Sequence, residues 1–517
     1  MSEISFNKFH EILFWPLELS GKEHLSETKI DQWVARHNDG HPWKLINPYD
    51  RGTAPTGDLH YAEYLYFHPF VRQFLYPSQP GEEHLRILGR DDVRGVEVRF
   101  GYEGYQRRLT IDRVHLYVFQ TRVAILVVEV EAIEPMPRSE AMAFLEEFRK
   151  VYAPYFDHSR AGKCPESVQW LDGSGIPIGD ASTLQDPSEQ RKSVEASGWR
   201  RPPVSAHWRW LLNGLIPSCP QADREDDVLY YDQIEDERMP SMSFLTTDTP
   251  HAVTLEDQQR LCFCDEPSSN PEAATYSPEF LSDFVQKHCY DRYWDATNLI
   301  NAWMTTRFLC SGYGFTFLGQ ADPKFVENGA NGLLAHFRHH YFQLGLIAHF
   351  HRASLLHFSR RFSQSVHLIT EENEGLNRDF ARFVTGYWFN EVSNQMQGSE
   401  LFHFWSNHLG NQQLLDHVMR EKRLALELDE AAKMKDDSTQ VMNLTKSMTL
   451  LTILLVPLTG ASLVIAWFEM EFTRHRFDWL KDGRAWWGWS AAFFASILIF
   501  AFVLRAVLMR EKKKGKP

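Results

Sequence analysis

The chain has 517 residues, long enough for more than one folded unit, and a formal charge of −14 that argues against nucleic acid as its main partner. Its mean hydropathy of −0.38 fits a mostly water-exposed protein, although an average of that kind can hide a short hydrophobic tail. Six scattered cysteines, with Cys262-Phe-Cys264 the one close pair, have the wrong spacing for a zinc knuckle and read as free structural thiols.

The first residues, "MSEISFNKFHEILFWPLELSG", hold acids near the start and no basic region ahead of an apolar run, so no signal peptide is expected. The segment 60–76, "HYAEYLYFHPFVRQFLY", reads as a buried strand or a short helix. Three β-rich runs follow: "VEVRF" at 96–100, "LTIDRVHLYVF" at 109–119 and "VAILVVEVEAI" at 123–133, the last two forming a hairpin across "QTR". "SEAMAFLEEFRKVYAPYF" then reads as an amphipathic helix against that sheet. Together these runs predict an α+β domain over 1–275 with a largely antiparallel sheet. Within it, "ADREDD" and "DQIEDERMP" form an acidic stretch, read as a solvated face or as a cation-sensing surface with Asp223, Asp226 and Asp227 as weak metal candidates.

From 276 the pattern turns helical, with a helical region over 276–399 and a long stalk helix over 400–446 interrupted at Gly410. His336, His340, His349, His351 and His357 fall at spacings that can hold a metal, but aromatic-rich helices often use histidine for packing. Two charge-free runs come last, 447–468 and 485–504, each about 20 residues and long enough to cross a bilayer. They predict a first transmembrane helix at 447–468, an external loop at 469–484, a second transmembrane helix at 485–509 and a basic cytoplasmic tail at 510–517. On that reading the protein is a multi-pass protein of the inner (plasma) membrane, and both termini are cytoplasmic. A long helix without a globular partner of its own implies bundling in an oligomer.

Pro457 weakens the first span at the carbonyl of Ile453, and this helix kink either bends the helix for packing or exposes a polar lining. The stripe Thr445, Met448, Thr452, Val456 and Thr459 mixes hydroxyls with apolar side chains, as a pore wall does; alternatively its threonines bond carbonyls of their own helix. Asn443 stands at the inner entrance. Glu469 and Glu471 stand at the outer mouth, where a ring of copies would attract divalent cations.

The stretch "VMNLTKSMTLLTILLVPLT" with the two-span tail resembles the pore-helix entry of the CorA-like magnesium/cobalt/zinc transporter superfamily. The resemblance implies a homopentamer whose first spans line a central pore for Mg²⁺, Zn²⁺ or Co²⁺. The chain departs from the family at the outer mouth, where "AWFEMEF" stands in place of a Gly-Met-Asn signature. Two functions are therefore expected: a divalent-cation channel or transporter in the lipid bilayer, or a ligand-gated membrane effector of a signalling or defence system on the same scaffold. No cofactor is expected beyond a possible regulatory divalent cation. With no nucleotide-binding, nucleophile-elbow or metalloprotease motif, an enzyme is not expected.

Overall fold

The computed structural model describes residues 4–20, 42–46, 63–76, 84–100, 105–152, 165–179, 204–217, 229–235, 238–267, 276–295, 297, 301–329, 332–365, 370–474, 494 and 505. The chain divides into two units, Met1–Arg423 and Leu424–Pro517.

The first unit is built on one mixed sheet. Its main strands are β1 (Lys8–Ser20), β2 (Leu85–Gly89), β3 (Gly95–Phe100), β4 (Gln106–Phe119), β5 (Val123–Ala132), β6 (Pro165–Leu171), β7 (Tyr230–Gln233), β8 (Ser241–Thr247), β9 (Cys289–Trp294), β10 (Thr305–Cys310) and β11 (Gly314–Gln320). The order across the sheet is β6-β3-β4-β5-β1-β8-β11-β10-β9. Neighbours on this path are antiparallel except β8 and β11, which run parallel.

Strand β1 holds the centre. Its odd residues Phe9, Leu13, Trp15, Leu17 and Leu19 join one core, and its even residues Ile12 and Phe14 join another on the opposite face. This is the two-residue alternation of a pleated strand with both faces covered. Pro16 sits inside this central strand without breaking it, because the partner on that edge changes there. Lys8–Leu13 pair with β8 and Leu17–Ser20 with β7, so the missing N–H falls near the junction.

Helices α1 (Arg138–Glu147) and α2 (Leu255–Phe263) contribute to the odd-face core. The even face is covered by a helical run that opens at Leu333–His336, passes through a π-helical turn at Phe337–Tyr341 and continues as α3 (Phe342–Ser365). Helices α4 (Thr370–Gly386) and α5 (Met396–His408) pack on it. Gly345 lies under Trp405, whose ring packs flat on Phe315 at 4.3 Å. Gly410, at φ +68, ends this stretch in the left-handed region that favours glycine.

Helix α6 (Asn411–Arg474) begins in the first unit, where Leu415 and Val418 are buried and Asn411 Nδ2 donates to the Ala348 carbonyl at 2.9 Å. In the second unit its described side chains are exposed or half-buried.

Among the described residues no helix is long and apolar enough to cross a membrane. The run 447–468 is the distal part of a 64-residue helix that begins among charged residues, and freedom from charge over 20 or so residues does not by itself make a span. Among the described residues the fold is therefore a mixed α+β domain followed by a long helix, with no helix apolar enough to be the expected first span. The second expected span, apart from Phe494, and the basic tail lie outside the described residues. With the spans goes the basis for a multi-pass inner-membrane location with both termini cytoplasmic.

A Cβ at Gly345 would meet the Trp405 ring at 2.3 Å. Gly345→Ala should therefore destabilise the first unit by about 1–3 kcal/mol through overpacking, measured by denaturant unfolding.

Candidate functional site

The described residues bring charged side chains together on the even face of the sheet, under the π-helical turn. β5 sets the first of them. Val123, Ile125 and Val127 face the helices, and the same alternation carries Glu129 to that side. β1 supplies His10 in register beside it, since Ile12 is the cross-strand partner of Glu129.

β4 supplies the rest through an irregularity. Leu109 and Ile111 point into the odd-face core, whereas beyond the register shift between Ile111 and Arg113 it is Val114, Leu116 and Val118 that do so. The extra residue, Asp112, shifts the alternation by one, and Arg113 is thereby turned toward Glu129.

The contacts are dense. His10 Nε2 lies 2.6 Å from Glu129 Oε1, and Arg338 Nε donates to the same oxygen at 2.5 Å. Arg113 pairs with Glu129 Oε2. Arg338 Nη2 also donates to Asp112 Oδ2 at 2.9 Å, and Arg113 Nη2 donates to the Arg338 carbonyl at 3.2 Å. Glu131 pairs with Lys8, and its Oε2 lies 3.6 Å from His10 Nδ1, which makes no hydrogen bond. His10 and Glu129 are fully buried; Asp112 and Arg338 keep about 28% and 19% of their side chains exposed.

Protonation follows from this arrangement. Burial opposes the charge on Glu129, but Arg113, Arg338 and His10 outweigh it and hold the carboxyl well below the usual range. Glu131, also opposed by burial, is brought down to about 2 by His10 and Lys8. Burial lowers the His10 pKa, yet its hydrogen bond to Glu129 and the nearby Glu131 carboxylate raise it overall. Asp112 moves the other way: burial and the neighbouring Glu129 charge push it up despite Arg338. It is the least compensated acid of the group.

His10, Asp112 and Glu129 each offer a ligand atom, and these atoms all lie within 4.8 Å of one another. The cluster can coordinate a metal ion. The three acids Asp112, Glu129 and Glu131 are matched by Lys8, Arg113 and Arg338, so an entering cation must displace one of these positive groups. Arg338 is the one that bridges two candidate ligands.

The residues singled out from sequence lie elsewhere. Asn443, Thr445, Met448, Thr452, Val456 and Thr459 are exposed on α6. The hydroxyls of Thr445, Thr452 and Thr459 donate to the carbonyls of Val441, Met448 and Leu455, four residues back in their own helix. Pro457, Glu469 and Glu471 fall within α6, but their side chains are outside the described set, and Asp223, Asp226 and Asp227 are outside it altogether. Of the second acidic stretch, Asp232 pairs with Arg360 at 3.2 Å and Glu235 with Arg352. In the histidine-rich run, His349 and His351 are buried among aromatic rings and pushed down to about 3 and about 4, chiefly by burial.

His10, Asp112, Glu129 and Arg338 were not legible as a group from their spacing. The available signal was the alternation in "VAILVVEVEAI", which places two glutamates on a face otherwise occupied by buried apolar residues. A carboxylate so placed needs partners.

No family model, no curated protein and no solved structure matches the chain. The resemblance to the CorA-like superfamily is thus without support, and the fold corrects it. With no transmembrane helix among the described residues to line a pore, the channel or transporter reading falls, as does the membrane effector. The lipid bilayer and the pentamer lose their basis as partners.

Removing the Glu129 charge leaves two guanidinium groups without their shared carboxylate. Glu129→Gln should cost about 3–5 kcal/mol in denaturant unfolding. Glu11, one residue from His10 and on the opposite face, behaves in the reverse sense. Burial raises it from 4.5 to about 8, and Arg149 only partly offsets this. Its contribution to stability is fully present below pH 4.5 and is lost as the pH rises through about 8, because the unfolded chain ionises first. Glu11→Gln should flatten the stability profile between those limits and raise Tm at pH 8.

Proposed function

We propose that the first unit is a regulatory module that takes up a divalent cation at His10, Asp112 and Glu129. The observation that carries this reading is the convergence of three donors from three neighbouring strands within 4.8 Å. Strands hold such a set rigidly, and the register shift in β4 places Asp112 at its rim.

The donor chemistry narrows the ion. One imidazole and two carboxylates suit Zn²⁺, Mn²⁺ or Co²⁺ better than Ca²⁺, which takes an all-oxygen shell. Uptake is a competition. Arg338 now satisfies both Glu129 and Asp112, and a cation replaces that guanidinium with a double charge. Release of Arg338 acts on the π-helical turn that carries it, and the turn's own carbonyl is held by Arg113. A buried binding event thereby becomes a change at the helix-covered face. The role is regulatory, not catalytic: Glu129 is wholly buried and already neutralised, and the chain carries no motif that would bring a nucleophile to it.

Chelator-treated full-length protein should bind one Zn²⁺ or Mn²⁺ per chain by isothermal titration calorimetry, with a rise in Tm that follows ion concentration. Asp112→Asn should weaken the affinity by about tenfold or more. Arg338→Met should strengthen it relative to its own lowered stability, because the competing cation is gone. Absence of saturable binding by either ion, or an affinity unaltered in Asp112→Asn, would reduce the cluster to a structural ion-pair network.

A further inference from the structure

A cavity of about 360 Å³ is lined in part by His336 and Tyr341, at either end of the stretch that carries Arg338. Its walls include Tyr66, Tyr293, Trp303, Phe308, Phe325 and Tyr341, so aromatic side chains dominate its lining. Phe308 and Tyr341 meet edge to face at 5.6 Å, which fixes the two rings against each other. Trp303 is about 50% exposed and stands at the solvent side. This volume is at the small end of the range for small-molecule sites, roughly 300–1,000 Å³, and holds one or two fused rings.

The polar groups are few and of one kind. Thr306, His336, Gln395 and Gln397 line the cavity, and among the described residues no Asp, Glu, Lys or Arg does. Amide, hydroxyl and imidazole groups offer both donors and acceptors without net charge. His336 Nδ1 lies 3.0 Å from His340 Nδ1, and Tyr66 packs on the His340 ring at 4.5 Å. In such a pair one Nδ1 carries the proton and the other accepts it, which holds the two rings in a fixed orientation. Burial also disfavours the charged form of His336.

We infer that this cavity binds an uncharged, planar heteroaromatic compound of one or two fused rings, stacked on its aromatic walls and hydrogen-bonded at its edge by Gln395, Gln397 and His336. A charged ligand would lose its hydration with no opposite charge to replace it. A purely aliphatic ligand would strand the amides and the imidazole. A planar ring with donors and acceptors on its rim satisfies both requirements. The cavity shares no lining residue with the cation cluster.

The test is titration of the full-length chain with benzimidazole, a neutral bicyclic ring with one donor and one acceptor, beside tetramethylammonium as a cationic probe. Benzimidazole should bind saturably, one per chain, by calorimetry or ligand-observed NMR. Trp303→Ala and Gln395→Ala remove exposed side chains and should leave Tm unchanged, while Trp303→Ala weakens binding by roughly three- to tenfold. Three results overturn the inference: no saturable binding of benzimidazole, wild-type affinity in both variants, or tighter binding of tetramethylammonium, which would make the site an aromatic cage for cations.

Discussion

The buried carboxylate of Glu129 is the constraint around which the rest of the first unit is arranged. A charge at the centre of a sheet covered on both faces is affordable only if it is paired and hydrogen-bonded. Its partners come from 119 residues before it and 209 residues after it, from β1 and from the turn that precedes α3. Satisfying Glu129 therefore fixes where the helical layer docks on the sheet. The register shift in β4 serves the same end, because without it Arg113 would point into the opposite core.

The π-helical turn follows from that demand. Four of its five residues serve different surroundings in succession. Arg338 goes to Glu129 and Asp112, His339 to Glu63 at 3.2 Å, and His340 to His336 and Tyr66, while Tyr341 walls the aromatic cavity. An α-helix spaces side chains at about 100° and would distribute them differently. The wider turn is an irregular stretch inside an otherwise regular helix, a feature often found at functional sites.

The sequence was informative where one period dominates. "VEVRF", "LTIDRVHLYVF" and "VAILVVEVEAI" are strands because β-branched residues recur at a spacing that covers two faces, and the hairpin between the last two is present. Gly410 interrupts the C-terminal helices at a positive φ that no run of helix formers could have hidden. The segment around Pro69 is a short helix, Pro69–Leu75, with proline at its first turn. What the sequence did not reveal is the site. His10, Asp112, Glu129 and Arg338 lie far apart in the chain, and each is locally unremarkable in its own run. The irregularity at Asp112 has no composition signal. The C-terminal reading failed for a related reason. A Leu- and Thr-rich stretch with a proline is a common pattern, and its likeness to a pore helix carried no information about the helix it actually belongs to, which starts at Asn411.

The two candidate sites differ in how they use burial. In the charge cluster, burial makes every unpaired group expensive, so occupancy by Arg338 or by a cation are alternatives and an empty state is not. In the aromatic cavity the polar lining is threonine, glutamine and histidine, and Gln395 is exposed to solvent, so an empty state costs little. One site is thus always filled by something, and the other waits for a ligand. Both border the same turn, whose backbone carbonyl at Arg338 accepts from Arg113. A shift of Arg338 changes the constraint on a segment that also positions His336 and Tyr341. A coupling between the sites has a direct route through that turn, which carries Arg338 of the cluster and Tyr341 of the cavity wall.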